Sequence, residues 1–237
     1  MSFGVIASFY DDLMSNIPYT SWIEYLHLVH AYGEVRPHSI LDVCCGTGTM
    51  AAMLDREGYD LTGFDLSEDM IQVARTKSGP EFHVADATAL DLGRTFDAAF
   101  AFFDSLNYIT TLEGFQKAVA RVSAHLGTRG TFLFDLNTAY AFEHRMFDQR
   151  ERSRKAKVTY DWKGDYDSGT RIIRVQMDFE VAGEKYQEVH VQRAHSSEEV
   201  VAAMVGAGFS QIEVFDGFTL NPPTKKSDRL HYFGRKG

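Results

Sequence analysis

Apolar positions along the chain change period several times, and each change predicts an element. Between Tyr19 and Ala31, Trp22, Ile23, Leu26, Val29 and His30 fall at helical spacing, with Thr20 or Ser21 available as cap. Alternating units follow. His38–Val43 reads as a buried strand and Thr49–Glu57 as a helix closed by Gly58. Asp60–Phe64 is a strand, and Ser67–Thr76 a helix with Ser67 as N-cap and acidic Glu68 and Asp69 in its first turn, which suits the helix dipole. Strands are expected at Glu81–Val84 and Phe96–Ala101, a helix at Leu112–Leu126 and a strand at Gly130–Asp135. Strands alternating with helices imply βαβ units, hence a mostly parallel sheet covered on both faces.

After Asp135 the rhythm changes. Lys157–Trp162, Thr170–Val181 and Tyr186–Arg193 are β-rich or alternating, separated by turn-like Lys163–Gly169 and Gly183-Glu184. They predict a small antiparallel insertion, placed at residues 150–195. A helix at Ser197–Gly206, a strand at Gln211–Phe215 and a last strand at Arg229–Phe233 then close the sheet with a hairpin-like pair. The expectation is one α/β domain over residues 1–237, a doubly wound seven-stranded sheet, with residues 1–36 as a helical lid.

Composition narrows the class of function. With 237 residues, 44% apolar and 24% charged, the chain has ordinary globular character. Its apolar runs are strand-length, no basic-then-apolar leader opens it, and no membrane association is expected. Charge is −9, from 24 basic and 33 acidic residues, which argues against a phosphate-backbone partner. The one basic cluster, Arg145–Lys157, interleaves Arg150, Arg152, Arg154, Lys155 and Lys157 with Asp148 and Glu151, and reads as a solvated surface segment. Cys44 and Cys45 are adjacent and cannot bridge without strain, so a reduced cytoplasmic setting is expected. They supply no second ligand pair, and no metal site is expected.

The strongest local signal is Asp42-Val43-Cys44-Cys45-Gly46-Thr47-Gly48, where a buried strand runs into two glycines that open a helix. Glycine lets a ligand approach the backbone, and a helix start offers unpaired N–H donors. Gly46-Thr47-Gly48-Thr49-Met50-Ala51 also fits the dinucleotide fingerprint, with Asp65 near the place of its ribose acid, so an NAD(P)-dependent oxidoreductase stays open. Against it, Asp42 at the strand end suits a cationic amino group and would repel a pyrophosphate. Asp86, within Ala85-Asp86-Ala87, can accept a hydrogen bond from an adenine amino group.

Together with Phe64-Asp65-Leu66-Ser67 and Gly130-Thr131-Phe132-Leu133-Phe134-Asp135, these segments resemble, in order and spacing, the class I S-adenosylmethionine-dependent methyltransferases. The resemblance covers Ser8 to Asn137 well and the last strands loosely. It implies S-adenosylmethionine as cofactor and S-adenosylhomocysteine as product. Asp42 and the backbone around Cys44 and Gly46 would hold the methionine end, with Gly48 completing the loop. Asp65 would bind the ribose hydroxyls, Leu66 would lie against the adenine, and Asp86, beside Ala87, would bind the adenine amino group. Cys44 departs from the Gly or Ala usual there.

Methyl transfer from a sulfonium needs alignment, exclusion of water and an unprotonated nucleophile. The acceptor should therefore sit over the carboxyl ends of the strands, near Phe102, Phe103, Asp104, Asn107 and Tyr108 after the fourth strand and Asn137 after the fifth. The Asn/Asp-Pro-Pro-Tyr/Phe string of enzymes acting on planar amines is missing from Phe103-Asp104-Ser105-Leu106; Asn221-Pro222-Pro223-Thr224 reads as a rigid loop. Ser8-Phe9-Tyr10-Asp11 resembles the segment with which small-molecule members cover the cofactor, placing Tyr10, and with it Tyr19, near the methyl group. The insertion resembles those of amine methyltransferases acting on sugars and other small metabolites, which implies that it forms part of the acceptor wall. There Glu188, His190 and Gln192 share one strand face, with His190 the candidate base and Arg193 or His195 the anchor. Tyr10, Asp104 and His190 are thus the catalytic candidates. The expected partner is a small molecule methylated on nitrogen, or on oxygen, by a monomer or homodimer; a protein that binds S-adenosylmethionine without turnover is the other reading.

Overall fold

The computed structural model describes residues 6–153 and 156–237. Arg154 and Lys155 of the basic cluster, and the start of the lid, lie outside the described residues. After a 3-10 turn at Ala7–Phe9, helices α1 (Tyr10–Leu13) and α2 (Tyr19–Tyr32) lead into β1 (Ser39–Val43), α3 (Thr49–Asp55), β2 (Asp60–Asp65), α4 (Glu68–Ala74), β3 (Glu81–Val84) and β4 (Phe96–Ala101). A 3-10 turn at Ser105–Tyr108 precedes α5 (Leu112–Ala124), β5 (Leu126–Asn137) and α6 (Ala139–Glu143). The insertion comprises β6 (Gln149–Glu151), β7 (Val158–Asp167), β8 (Ile172–Val181) and β9 (Glu184–Arg193). The chain then forms α7 (Ser197–Gly206), β10 (Phe209–Asp216) and β11 (Arg229–Lys236).

The main sheet has the order β10-β11-β5-β4-β1-β2-β3. Strands β1 to β5 pair in parallel, while β11 runs antiparallel to both β5 and β10. This is the expected doubly wound sheet with its closing pair. Alternation along each strand feeds two cores. Leu41, Val43, Ala99, Phe132 and Phe134 pack under Phe115, Val119 and Val122 of α5 and Val200 and Met204 of α7. On the other face, Ile40, Ala98, Phe100 and Leu133 meet Trp22, Leu26 and Val29 of α2, Met50 and Leu54 of α3 and Ile71 of α4. Burial on both faces explains why these strands read as continuous apolar runs.

Caps explain some boundaries and correct others. Ser67 caps α4, its hydroxyl accepting from the Met70 N–H, and Ser196 forms a capping box with Glu199 at α7. Thr20 and Ser21 do not cap α2: the helix starts at Tyr19 with Pro18 before it, which puts both inside the first turn. The expected turn at Lys163–Gly169 is also displaced. Strand β7 runs on to Asp167, because Trp162 to Asp167 pair residue by residue with Met177 to Ile172. The reversal falls beyond it, where Asp167 accepts from the Gly169 N–H at 2.9 Å and the Thr170 hydroxyl at 2.7 Å.

The insertion forms a separate four-stranded antiparallel sheet, β6-β7-β8-β9. Its inner face joins the start of the chain in a third core: Ile6, Ala7 and Phe9 pack with Val175, Met177 and Phe179. Phe9 meets Phe179 edge-on at 5.8 Å and Tyr186 at 5.6 Å. The first turn and the insertion are therefore one packed unit.

Candidate active site

A cleft opens at the carboxyl ends of β1, β2 and β4, under the α1 segment. Its lining includes Tyr10, Tyr19, Asp42, Cys44, Gly46, Asp65, Leu66, Asp86, Ala87, Phe102, Phe103 and Tyr108. The turn after β1 is shaped by backbone conformation: Cys44, Gly46 and Gly48 have φ of 59°, 53° and 73°. For Cys44 that left-handed conformation costs roughly 1–2 kcal/mol. The two glycines serve different ends. A Cβ on Gly46 would meet nothing within 4 Å, so the space beside it stays open. A Cβ on Gly48 would lie 2.5 Å from the Phe82 ring, so that glycine lets α3 close onto β3.

Three carboxylates border this turn, each held differently. Asp65 accepts from the Gly46 N–H through Oδ2 and from the Ser67 N–H through Oδ1, both at 2.9 Å. Burial raises its pKa, and these backbone donors pull the other way. Asp86 accepts from the Thr88 N–H and hydroxyl through Oδ1, at 2.7 and 2.8 Å. Asp42 is 3% exposed, and its Oδ2 has no hydrogen-bond partner. Burial, then the neighbouring Asp65, push its pKa well up. A buried carboxylate oxygen without a donor is costly, and a cationic ligand relieves that cost.

The cover is latched to the glycine turn. Asp11 accepts from the Thr47 hydroxyl at 2.6 Å through Oδ1 and from the Lys77 ammonium at 2.8 Å through Oδ2. Lys77 also donates to the Thr47 carbonyl at 2.6 Å. Tyr10 and Tyr19 are thereby set over the cleft. Their phenols are pushed well above the ordinary range, chiefly by burial and then by neighbours, Tyr19 for Tyr10 and Asp11 for Tyr19.

Beyond β4 the chain takes two left-handed residues in succession, Phe103 (φ 62°) and Asp104 (φ 51°). Such strain gathers at functional loops. It turns Asp104 away from the cleft lining, into a buried network. Its carboxylate accepts from the Gln192 amide at 2.7 Å and from Arg229 at 3.2 Å, and Arg229 is also paired with Asp135. Asp135 is fully buried, and its pKa is raised to about 6 by burial, with Arg229 opposing.

Other expected site residues also lie outside the cleft lining. Gly48 is a packing residue, for the reason given. Asn107 is fully buried and stitches three segments: it donates to the Asn137 carbonyl (3.1 Å) and the Arg193 carbonyl (2.8 Å) and accepts from the Asn137 N–H (3.0 Å). The Arg193 guanidinium is spent on Glu199 (2.8 Å) and His195 (2.6 Å). His190 is not part of the cleft lining; the hydroxyl of Tyr108, which is, lies 2.8 Å from its Nδ1. Residues that the sequence did not single out are Arg229, Lys77 and Thr47. Each acts across a separation of 30 residues or more, which leaves no local pattern to read.

Residues 40–130 match the family model described as a methyltransferase domain. Over its full length the chain is 30% identical to all of a Geobacillus sp. (strain WCH70) protein described as a methyltransferase. The chain belongs to the class I S-adenosylmethionine-dependent methyltransferases. It is also 29% identical, over 76% of its length and 78% of the relative's, to the dTDP-3-amino-3,4,6-trideoxy-alpha-D-glucopyranose N,N-dimethyltransferase of Streptomyces venezuelae. Among solved structures, an S-adenosylmethionine-dependent methyltransferase from Clostridium acetobutylicum superposes with a TM-score of 0.86 at 23% identity, covering 99% of both chains. Membership decides between the two readings of the glycine turn: it is a methyltransferase turn, and the dinucleotide reading falls. The residues present fit S-adenosylmethionine, since Asp42 offers an unpartnered buried oxygen to a cation, Gly46 leaves open space, and Leu66 is an apolar side chain 59% exposed. Among the described residues, no helix is long and apolar enough to cross a membrane.

Proposed function

We propose that this methyltransferase acts on the amino group of a small-molecule acceptor, with an amino sugar carried on a nucleoside diphosphate as the substrate class. The observation that carries the reading is the composition of the acceptor end of the cleft. Tyr10, Tyr19, Phe103 and Tyr108 line it, and the Asp104 carboxylate lies behind Tyr108 and Tyr10. Aromatic faces favour a cationic or amine ligand. All three phenols are pushed up by burial, so none serves as a phenolate base for a hydroxyl acceptor. A neutral amine needs no such base. The name of the Streptomyces venezuelae relative supports the same class.

In this reading Asp42 and the turn at Cys44 and Gly46 hold the methionine end of the cofactor, Asp65 the ribose hydroxyls, Leu66 the adenine face and Asp86 the adenine amino group. The cofactor supplies an activated methyl group on sulfur. The chain's own part is alignment and exclusion of water. Tyr10 and Tyr19 cover the cleft, Asp11 holds that cover down, Phe102 and Phe103 form the wall, and Tyr108 faces the acceptor. Residues 1–36 act as the lid, and residues 150–195 back the acceptor side, with His190 against Tyr108.

Incubation with dTDP-3-amino-3,4,6-trideoxy-alpha-D-glucopyranose and S-adenosylmethionine, followed by mass spectrometry, tests the proposal. A product heavier by one or two methyl groups on nitrogen is expected. Transfer only to hydroxyl acceptors in a parallel phenol and sugar panel would overturn it.

A further inference from the structure

Strand β9 carries its polarity inward. Val189 is 52% exposed, whereas Glu188, His190 and Gln192 are 8%, 5% and 1% exposed. They lie opposite Met177, Val175 and Ile173 of β8, on the face that covers the cleft side of the insertion. Sinking a carboxylate, an imidazole and an amide among apolar side chains is costly unless their hydrogen bonds are made. Here they are linked, while Glu188 Oε1 and Gln192 Oε1 have no partner among the described residues. Glu188 Oε2 lies 2.8 Å from His190 Nε2, and His190 Nδ1 lies 2.8 Å from the Tyr108 hydroxyl. Of these three residues, only Tyr108 lines the cleft.

We propose that Tyr108, His190 and Glu188 form a proton relay that carries the acceptor's ammonium proton out of the cleft. The proposal rests on the amine reading above. The relay runs in one direction: Glu188 Oε2 accepts from Nε2–H, and Nδ1 accepts from the Tyr108 hydroxyl. Gln192 donates to the same phenol oxygen, whose other lone pair serves the acceptor. When the acceptor N–H bond breaks, its proton forms a new O–H bond at Tyr108, while the phenol's former proton passes to Nδ1. The phenol ends neutral, and the positive charge rests on an imidazolium held against Glu188. Burial and the nearby Asp104 keep Tyr108 protonated, which makes it a conduit and not a store of charge. Among the described residues the imidazole meets Glu188 on its own strand, Tyr108 from the turn after β4 and, across the ladder, apolar Val175 of β8; Gln192 hydrogen-bonds Tyr108, and Asp104 lies near it. A relay ending in imidazole matches an ammonium proton and is a poor base for an alcohol. It would also serve a second methylation, since the first leaves a cationic secondary amine that must lose a proton.

Tyr108 is the catalytic residue of this relay, and His190 and Glu188 act through it. The test compares Tyr108→Phe and His190→Gln with Val189→Thr on the outer face of the same strand, using the dTDP-amino sugar at saturating S-adenosylmethionine. At pH 7 both relay variants should lose about a hundredfold in kcat with KM changed less than about threefold. At pH 9.5, where the sugar arrives as free amine, the loss should shrink to about tenfold or less. Equal losses at both pH values, or no loss at pH 7, would overturn the relay. If the wild type methylates no amino sugar, the acceptor reading fails and the relay is judged on nitrogen-15 spectra of His190. Hydrogen on Nε2, with an Nδ1 signal that moves in Tyr108→Phe, supports it; the opposite tautomer or an unmoved Nδ1 signal refutes it.

Discussion

In the seven-stranded sheet the strands are apolar on both faces, and the chemistry stands where they end: Asp42 closes the buried run of β1 and Asp65 that of β2. In the four-stranded sheet it stands within a strand, at every second residue of β9, with the apolar positions turned to solvent. The difference follows from what covers each sheet. Helices on both faces leave the parallel strands only their ends for polar work. The insertion has one covered face, which packs against the first turn of the chain and, through His190, against Tyr108. Buried polar side chains therefore gather near the strand ends in the one region, where Asp42 borders the cleft and Asp135 joins Arg229, and along a strand in the other.

The largest effect that would break this comparison is at Asp65. Asp65→Ala removes the acceptor for two backbone donors and, if Asp65 holds the ribose as proposed, should weaken S-adenosylmethionine binding by about 4 kcal/mol, roughly a thousandfold, by calorimetry. Unchanged affinity would remove the strand-end rule. Gly48→Ala should leave the cleft chemistry intact and destabilise the fold by about 3 kcal/mol in urea unfolding, through a left-handed alanine and contact with Phe82. Stability within about 0.5 kcal/mol of wild type would mean that Gly48 is not the packing residue its surroundings indicate.

His30 sharpens the contrast with His190. It too is 5% exposed, but its Nε2 has no partner among the described residues, and burial, then His27, lower its pKa to about 4. The unfolded chain takes up that proton near pH 6.5 while the folded chain stays neutral to about 4, so the contribution is lost as pH falls through this window. His30→Leu should cost little at pH 7 and stabilise the protein by about 2 kcal/mol relative to wild type at pH 5. Equal acid sensitivity in both proteins would show that His30 is not the group responsible. The smallest effect belongs to the outer face of β9, where Val189→Thr should change stability by less than about 0.5 kcal/mol in either direction.

The same contrast explains what could be read from sequence. Asp42, Gly46, Asp65 and Asp86 were legible because each sits at a fixed step from an apolar run that ends in a turn. The alternation that puts Glu188, His190 and Gln192 together was legible too. Which way that face points was not, since alternation is symmetric and only packing chooses the inside. Asp104, Asn107, Asn137 and Arg193 were expected at the acceptor because they follow β4, β5 and β9. The side chains of Asp104, Asn107 and Arg193 are instead occupied by Arg229, by the Asn137 backbone and by Glu199, across separations no local pattern encodes, and Asn137 enters that network through its backbone. Strand β7 outran its predicted end for a similar reason: ladder pairing with β8 overrides the local turn preference of Gly164 and Asp165.

Strand β11 lies between β5 and β10, although it follows both in the chain. Until it is made, β5 has no neighbour on one side, and the bare edge is Thr131-Phe132-Leu133-Phe134, among the most apolar stretches of the protein. A ribosome must therefore synthesise the whole insertion, α7 and β10 while that edge stays unpaired, a condition that invites pairing with other chains. Chaperone demand during synthesis should peak between the completion of Asn137 and the emergence of Arg229, and a chain halted in that interval is the form of this protein most prone to aggregate.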